Sequence, residues 1–231
     1  MKAMCDPRLR PLLPRPPHPG RSPRLPWIIS LLVTLLVPLL IGCGKPPMLV
    51  NQYILEYPAP VVGGKAKVPE AVKVQLFSVA QAFNTNNMVY QPQPYKSQVY
   101  NYSRWRANPG YLVTDYLLRD LRDAGLFKAV FGPDSRGRYR FRLEGGVTEF
   151  QELDEPGGWQ AALALTVTLL DTSKAELPQR VVFQRNYRAE EPMPEKTPRG
   201  LAQAMSRALE QVSARIINDT YEAARSRAAS K

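Results

Sequence analysis

The chain has 231 residues, 44% of them hydrophobic, and carries 31 Lys and Arg against 20 Asp and Glu, for a formal net charge of +11. It holds two cysteines and one histidine. So few thiols and imidazoles exclude a disulfide-stapled scaffold and leave little material for zinc sites or nucleophilic triads.

The N-terminal segment is basic, with Lys2, Arg8, Arg10, Arg15, Arg21 and Arg24, and an apolar stretch at 27–40 follows it. A membrane-spanning helix needs roughly 20 apolar residues. This stretch has 14 and contains Pro38. A basic segment, a short apolar run and a small residue at its end describe a secretory signal. The run closes on Leu40, Ile41, Gly42 and Cys43. It looks like a bacterial lipobox, in which cleavage follows Gly42 and the Cys43 thiol takes a diacylglycerol. The expected division is a signal peptide at 1–42, a lipidated N-terminus and tether at 43–52, one domain at 53–226 and a frayed basic tail at 227–231. Gly44 is not the aspartate that retains many lipoproteins at the inner membrane. The expected address is therefore the periplasmic face of the outer membrane, reached by a lipid anchor.

With 42 residues removed, 189 of 231 remain, enough for one domain with a real core. The leader carries six of the 31 basic residues and one of the 20 acidic ones, so the net charge falls from +11 to +6. No dense Lys/Arg block survives, which argues against nucleic acid as a partner. A solvated surface explains the remaining charge better than a preference for anionic lipid headgroups. Cys5 and His18 leave with the leader, and Cys43 is taken by lipid. Ser-His-Asp and Cys-His machinery and His- or Cys-based zinc sites are thereby excluded. We expect no enzyme, no catalytic residues, no metal and no cofactor, with carboxylate-only chemistry the remaining formal option.

Residues 53–57 read as a first strand, ended by Pro58 and Pro60. A second spans 71–80, with Val72, Val74 and Leu76 on one face and Lys73, Gln75 and Phe77 on the other. Short strands at 88–91 and 98–102 flank Pro92 and Pro94, which suits an edge or a hairpin. Asn108 and Pro109 then open a helix whose stripe is Val113, Leu117, Leu121 and Ala124, with Gly125 closing it. Asp115, Arg119 and Asp123 stand four apart on its solvent side. Strands at 138–150, 160–171 and 180–188 read as an antiparallel meander, with 156–158 turning between the first two. Thr197 and Pro198 start a long helix buried through Leu201, Met205, Ala208, Val212 and Ile216. The expected fold is a single α+β domain, a mostly antiparallel sheet with two helices packed on one face.

Gly145-Gly146 lacks phosphate-loop spacing and suits a turn or bulge. Glu149, Glu152, Asp154 and Glu155 lack calcium-loop spacing and read as a solvated hairpin tip. Tyr90, Tyr95, Tyr100, Tyr102 and Trp105, with Arg104 and Arg106 beside the tryptophan, are denser in aromatics than the rest of the chain. They suit either the core and rim of a small sheet, the weightier reading, or a ligand groove or partner surface. On the second reading Tyr95, Tyr100, Tyr102, Arg104, Trp105 and Arg106 form the surface, and the arginines meet phosphate headgroups.

The order of Tyr53-Ile54-Leu55, Met88-Val89-Tyr90, Pro94-Tyr95, the run from Tyr100 to Trp105 and the helix end from Leu121 to Val130 resembles the ABC-type transport auxiliary lipoproteins. Leu143-Glu144-Gly145, Glu149-Phe150, Glu191-Pro192 and the run from Ala204 to Leu209 continue it. This group includes the paraquat-inducible C-type lipoprotein. The resemblance implies a non-enzymatic partner of a lipid transport system. Such a system joins an inner-membrane permease and ATPase to a periplasmic protein with a mammalian-cell-entry (MCE) domain. The lipoprotein docks that conduit at the outer membrane. Only Cys43 carries over as a family site residue. The other reading is a carrier that binds phospholipid or a small hydrophobe in its own groove. Whether the protein forms a homo-oligomer is left open.

Overall fold

One 15-residue strand, Phe141–Glu155, organises the molecule. The computed structural model describes residues 48–62 and 64–230. Cys43 and its flank of Leu40, Ile41 and Gly42 lie outside them. In chain order the strands are β1 (Asn51–Tyr53), β2 (Val68–Val74), β3 (Ser78–Val79), β4 (Asn87–Gln93) and β5 (Lys96–Trp105). Helix α1 (Pro109–Ala124) leads to β6 (Phe127–Phe131), β7 (Phe141–Glu155), β8 (Gly158–Asp171) and β9 (Val181–Pro192), and α2 (Pro198–Ala229) ends the fold.

The nine strands form one sheet. On one side of β7, β8 and β9 follow as the expected antiparallel meander, paired from Phe141↔Asp171 to Glu155↔Gly158 and from Gln160↔Pro192 to Leu170↔Val181 with one register shift in each ladder. On the other side, β2, β3 and β4 lie end to end, all parallel to β7. They pair through Val72↔Phe141, Ser78↔Gly146 and Tyr90↔Glu152. β6 extends the sheet beside β2, and β1 pairs with β5, both in parallel. The α+β class holds, but the sheet is mixed rather than mostly antiparallel. The physical reason is that the chain from Val68 to Gln93 follows β7 in one direction, breaking twice without reversing.

The first break falls inside the strand expected at 71–80. Val72 and Val74 are buried as expected, but Leu76 is exposed and Phe77 buried. The Phe77 amide donates to Thr114 Oγ1 of α1 at 2.9 Å, so the helix turns the ring inward. At the N-terminus only Asn51–Tyr53 is strand, and Leu55 and Tyr57 beyond it are buried in irregular backbone.

Both long helices start where the sequence signals them, and α1 also stops there. The Asn108 side chain accepts from the Gly110 amide at 3.0 Å, and Gly125 closes α1 at φ 64°. Thr197 Oγ1 accepts from the Gly200 amide at 3.0 Å. The expected stripes are buried, Val113, Leu117 and Leu121 on α1 and Leu201, Met205, Ala208, Val212 and Ile216 on α2. Each large aliphatic side chain so buried contributes roughly 1.5–3 kcal/mol. The helices touch each other and pack on the sheet, α2 mainly over β8 and β9, α1 over β6 and β7. Among the described residues no helix is long and apolar enough to cross a membrane.

Gly145 is neither turn nor bulge. It sits inside β7 opposite Val167, where a Cβ would stand 2.3 Å from Thr166 O and 2.6 Å from the Phe77 ring. Gly145→Ala should therefore lower unfolding stability by about 2 kcal/mol, the range of overpacked cores. Urea unfolding of both forms measures it.

Candidate functional site

The stretch rich in aromatics is the β4–β5 hairpin. β4 and β5 pair through Gln93↔Lys96, leaving Pro94 and Tyr95 as the turn. Pro94 presets the first turn position, and Tyr95 takes φ 67°, the only positive φ at a non-glycine among the described residues. Further along, Val89 pairs with Val99 while Asn87 pairs with Arg104, so residues 100–103 of β5 stand against Met88 alone. This wide irregularity re-aims the side chains it carries. The Tyr100 hydroxyl turns inward and donates to Glu152 Oε2 at 2.8 Å, and its ring lies 5.0 Å from that of Tyr90. Tyr102 stays exposed.

The six residues singled out in the sequence therefore divide. Tyr95 is fully exposed at the hairpin tip, and Tyr102, Arg104 and Arg106 are exposed near the bulge. Neither arginine has a carboxylate partner among the described residues. Tyr100 is half-buried. Trp105 is 1% exposed and meets Phe150 edge-on at 5.2 Å, so it belongs to the core. β1 holds the outgoing arm of the hairpin, with Tyr53 opposite Trp105.

Beneath Tyr100 lies an acidic pair at the end of β7. Glu152 has no exposed surface, and its Oε1 and Asp154 Oδ1 receive no hydrogen bond from any other side chain or backbone amide. Burial pushes the Glu152 carboxyl up from the ordinary 4.5 to about 7; hydrogen bonding with Asp154 adds to the rise, while Tyr100 and Lys196 act against it. A proton held on Glu152 lets it donate to Asp154, whose other oxygen pairs with Lys196 Nζ. Burial and the Glu152 contact also raise the Tyr100 hydroxyl far above the ordinary tyrosine range, so it stays a neutral donor. The four acids expected at one tip are split: Glu149 pairs with Arg188, Asp154 with Lys196, and Glu155 is exposed. Among the described residues no group of three His, Cys, Asp or Glu could hold a metal ion.

A second buried carboxylate carried no signal in the sequence. Asp120 has no exposed surface and accepts from Tyr57 Oη at 2.8 Å, Ser213 Oγ at 2.5 Å and Arg119 Nε at 2.8 Å. Arg119 thus serves its neighbour rather than Asp115 or Asp123, and its guanidinium lies 4.5 Å from the rings of both Tyr57 and Tyr116. A charged residue on the buried side of α1, with Tyr57 in reach only after folding, breaks the helical pattern without announcing a partner.

These features define an α+β domain whose buried polar groups tie segments together and whose β4–β5 hairpin exposes Tyr95, Tyr102 and Arg104. The chain belongs to the family of ABC-type transport auxiliary lipoprotein components, whose model matches residues 53–217. Its fold is similar to that of protein XCC0632 from Xanthomonas campestris, with a TM-score of 0.71 at 21% identity, covering 78% of this chain and 100% of that one. An uncharacterized protein matches with a TM-score of 0.57 at 15% identity, covering 74% and 98%. No curated protein matches the chain.

Two predictions follow from the buried carboxylates. Between pH 4.5 and 7 folded Glu152 keeps a proton that the unfolded chain has lost. Stability should fall as pH rises through that window and stay low above it. Glu152→Gln should flatten that slope, as read from urea midpoints at several pH values. Asp120→Ala strands the Arg119 charge and two hydroxyls, and should cost about 3 kcal/mol in the same assay.

Proposed function

We propose that this protein is a non-enzymatic accessory lipoprotein of an intermembrane lipid transport system. It is anchored through Cys43 at the periplasmic face of the outer membrane and acts by docking the periplasmic components. Membership of the transport auxiliary family carries this reading. Its partner would be the MCE-domain protein of an ABC transporter with an inner-membrane permease and ATPase, as the resemblance implies. Two or more acyl chains on Cys43 give a stable anchor where one is marginal.

The docking surface we assign is the outer side of the β4–β5 hairpin, with Tyr95, Tyr102, Arg104 and Arg106. Exposed tyrosine and arginine are the residues that carry binding energy at protein interfaces. The clefts support docking over carriage of a lipid. Apolar ligands occupy mainly apolar cavities of roughly 300–1,000 Å³. A cleft of about 810 Å³ here has Lys128, Arg138, Arg140 and Lys174 among its lining residues, one of about 490 Å³ beside the hairpin has Glu149, Asp154, Glu155 and Arg188, and an apolar one between Val68 and Ala228 measures about 260 Å³.

A tagged protein captured from solubilised envelopes should recover an MCE-domain protein; consistent absence of one sinks the reading. Replacing Tyr102, Arg104 and Arg106 together by Ala should cut recovery about tenfold with an unchanged melting temperature. Tyr95→Gly should also weaken capture while leaving stability equal or up to about 1 kcal/mol higher, because glycine takes positive φ without strain. Cys43→Ala should move the protein from the membrane pellet to the soluble periplasmic fraction. Stoichiometric long-chain phospholipid retained by the mature protein in native mass spectrometry, and not displaced by glycerol 1-phosphate, would instead favour the carrier.

A further inference from the structure

At the end of β7 remote from the hairpin, a cleft of about 810 Å³ opens between the start of β2, β6, the loop before β7 and the turn after β8. Its charges are unbalanced. The acids at its border are Glu70 and Asp171, and Arg140 engages both. Arg140 Nη2 donates to Asp171 Oδ2 at 3.0 Å and Nη1 to Glu70 Oε1 at 3.3 Å. The same Nη2 reaches the Arg227 carbonyl at 3.1 Å, so it also meets the carbonyl end of α2, the end that would repel an anion. Burial works against the Asp171 charge, but hydrogen bonds from Arg140 and Ser173 outweigh it and hold the carboxyl below its ordinary value.

What remains is cationic. Lys128 on β6, Arg138 before β7 and Lys174 after β8 line the cleft, and none has a carboxylate partner among the described residues. Three separate segments, β6, the loop before β7 and the turn after β8, thus bring unpaired cations to one concavity. The segments are held there by pairing rather than chance. β6 is bonded to β2, and the Thr172 amide donates to Arg140 O at 2.8 Å. Lys73 Nζ donates to Ser135 O at 2.8 Å and fixes the loop that carries Arg138.

We propose that this cleft is a binding site for a phosphate-bearing anion. A planar guanidinium can engage two phosphate oxygens at once, and two ammonium groups add point charges beside it. The site lies at the opposite end of β7 from the hairpin and is independent of the docking reading. A phospholipid headgroup and a soluble phosphate ester offer the same chemistry.

The test uses the mature lipoprotein in neutral detergent micelles at low salt. Isothermal titration calorimetry is run with inorganic phosphate, glycerol 1-phosphate and dihexanoyl phosphatidylglycerol. At least one should bind, and the Lys128→Ala/Arg138→Ala double variant should weaken it about tenfold or more. Lys128→Arg should retain binding, and Arg199→Ala, which removes an exposed charge at the other end of α2, should not change it. Equal melting temperatures verify folding. Lipid binding about tenfold tighter than glycerol 1-phosphate assigns the headgroup, and equal affinities assign a soluble phosphate. Absence of heat with all three probes overturns the proposal, as does an affinity that the double variant leaves intact.

Discussion

The Asp120 carboxylate is the constraint on which the arrangement of the helices depends. It has no exposed surface, and its donors come from Tyr57, Arg119 and Ser213. A carboxylate withdrawn from water is tolerated only when its oxygens are paired. That condition is met only when α2 lies against α1 and the irregular segment at 54–57 threads beside both. Neighbouring bonds follow the same route: Glu56 N donates to Ser206 Oγ at 2.9 Å, and Tyr221 Oη to Ala66 O at 2.9 Å. The N-terminal segment has little secondary structure of its own, yet it is fixed against both helices. The strand that precedes it, β1, is held beside β5.

The second organising feature is the length of β7. At roughly 3.3 Å per residue its 15 residues span about 50 Å, much the same length as the 32 residues of α2 at roughly 1.5 Å each. The two ends of β7 lie at the two ends of α2: Asp154 pairs with Lys196 just before the helix, and Arg140 reaches the Arg227 carbonyl near its last turn. The C-terminal end carries Glu152 and Asp154 beneath the hairpin. The N-terminal end meets Arg140 and the basic cleft. Both ends are polar, but their charges are handled differently. The acids under the hairpin are satisfied by a proton, a tyrosine and Lys196, whereas the cations of the cleft exceed the acids that face them. The two ends of β7 are thus chemically distinct.

The helices and their ends were legible in the sequence because caps and stripes are local: Asn108, Gly125 and Thr197 act within one turn of themselves. The β7–β9 meander was legible for a similar reason, since its turn at 156–158 lies between two alternating runs. The parallel pairing of β2, β3 and β4 was not. Alternation reports which face of a strand is buried, not the direction of the strand beside it. The flip at Leu76 and Phe77 was hidden too, because Thr114, remote in sequence, imposes it. Aromatic density located the hairpin correctly, but not which of its members turn inward. That depends on the mismatch between residues 100–103 and Met88, which moves Tyr100 toward Glu152 and returns Trp105 to the core.

The hairpin tip bears most directly on function. A tyrosine in the left-handed region costs about 1–2 kcal/mol relative to an ordinary conformation. Its packing within the domain returns nothing, because Tyr95 is fully exposed. Asn or Gly would form the same turn more cheaply. Folding alone therefore gives no reason for tyrosine at this position. A large amphipathic ring presented at the end of a two-residue turn is, however, well suited to a contact made outside the chain. Tyr102, Arg104 and Arg106 share its hairpin and are likewise exposed. Buried Trp105 and half-buried Tyr53 hold the strand in place. An immobile support under exposed tyrosine and arginine lowers the entropy lost when a partner binds, which supports docking as the role of this end of the sheet.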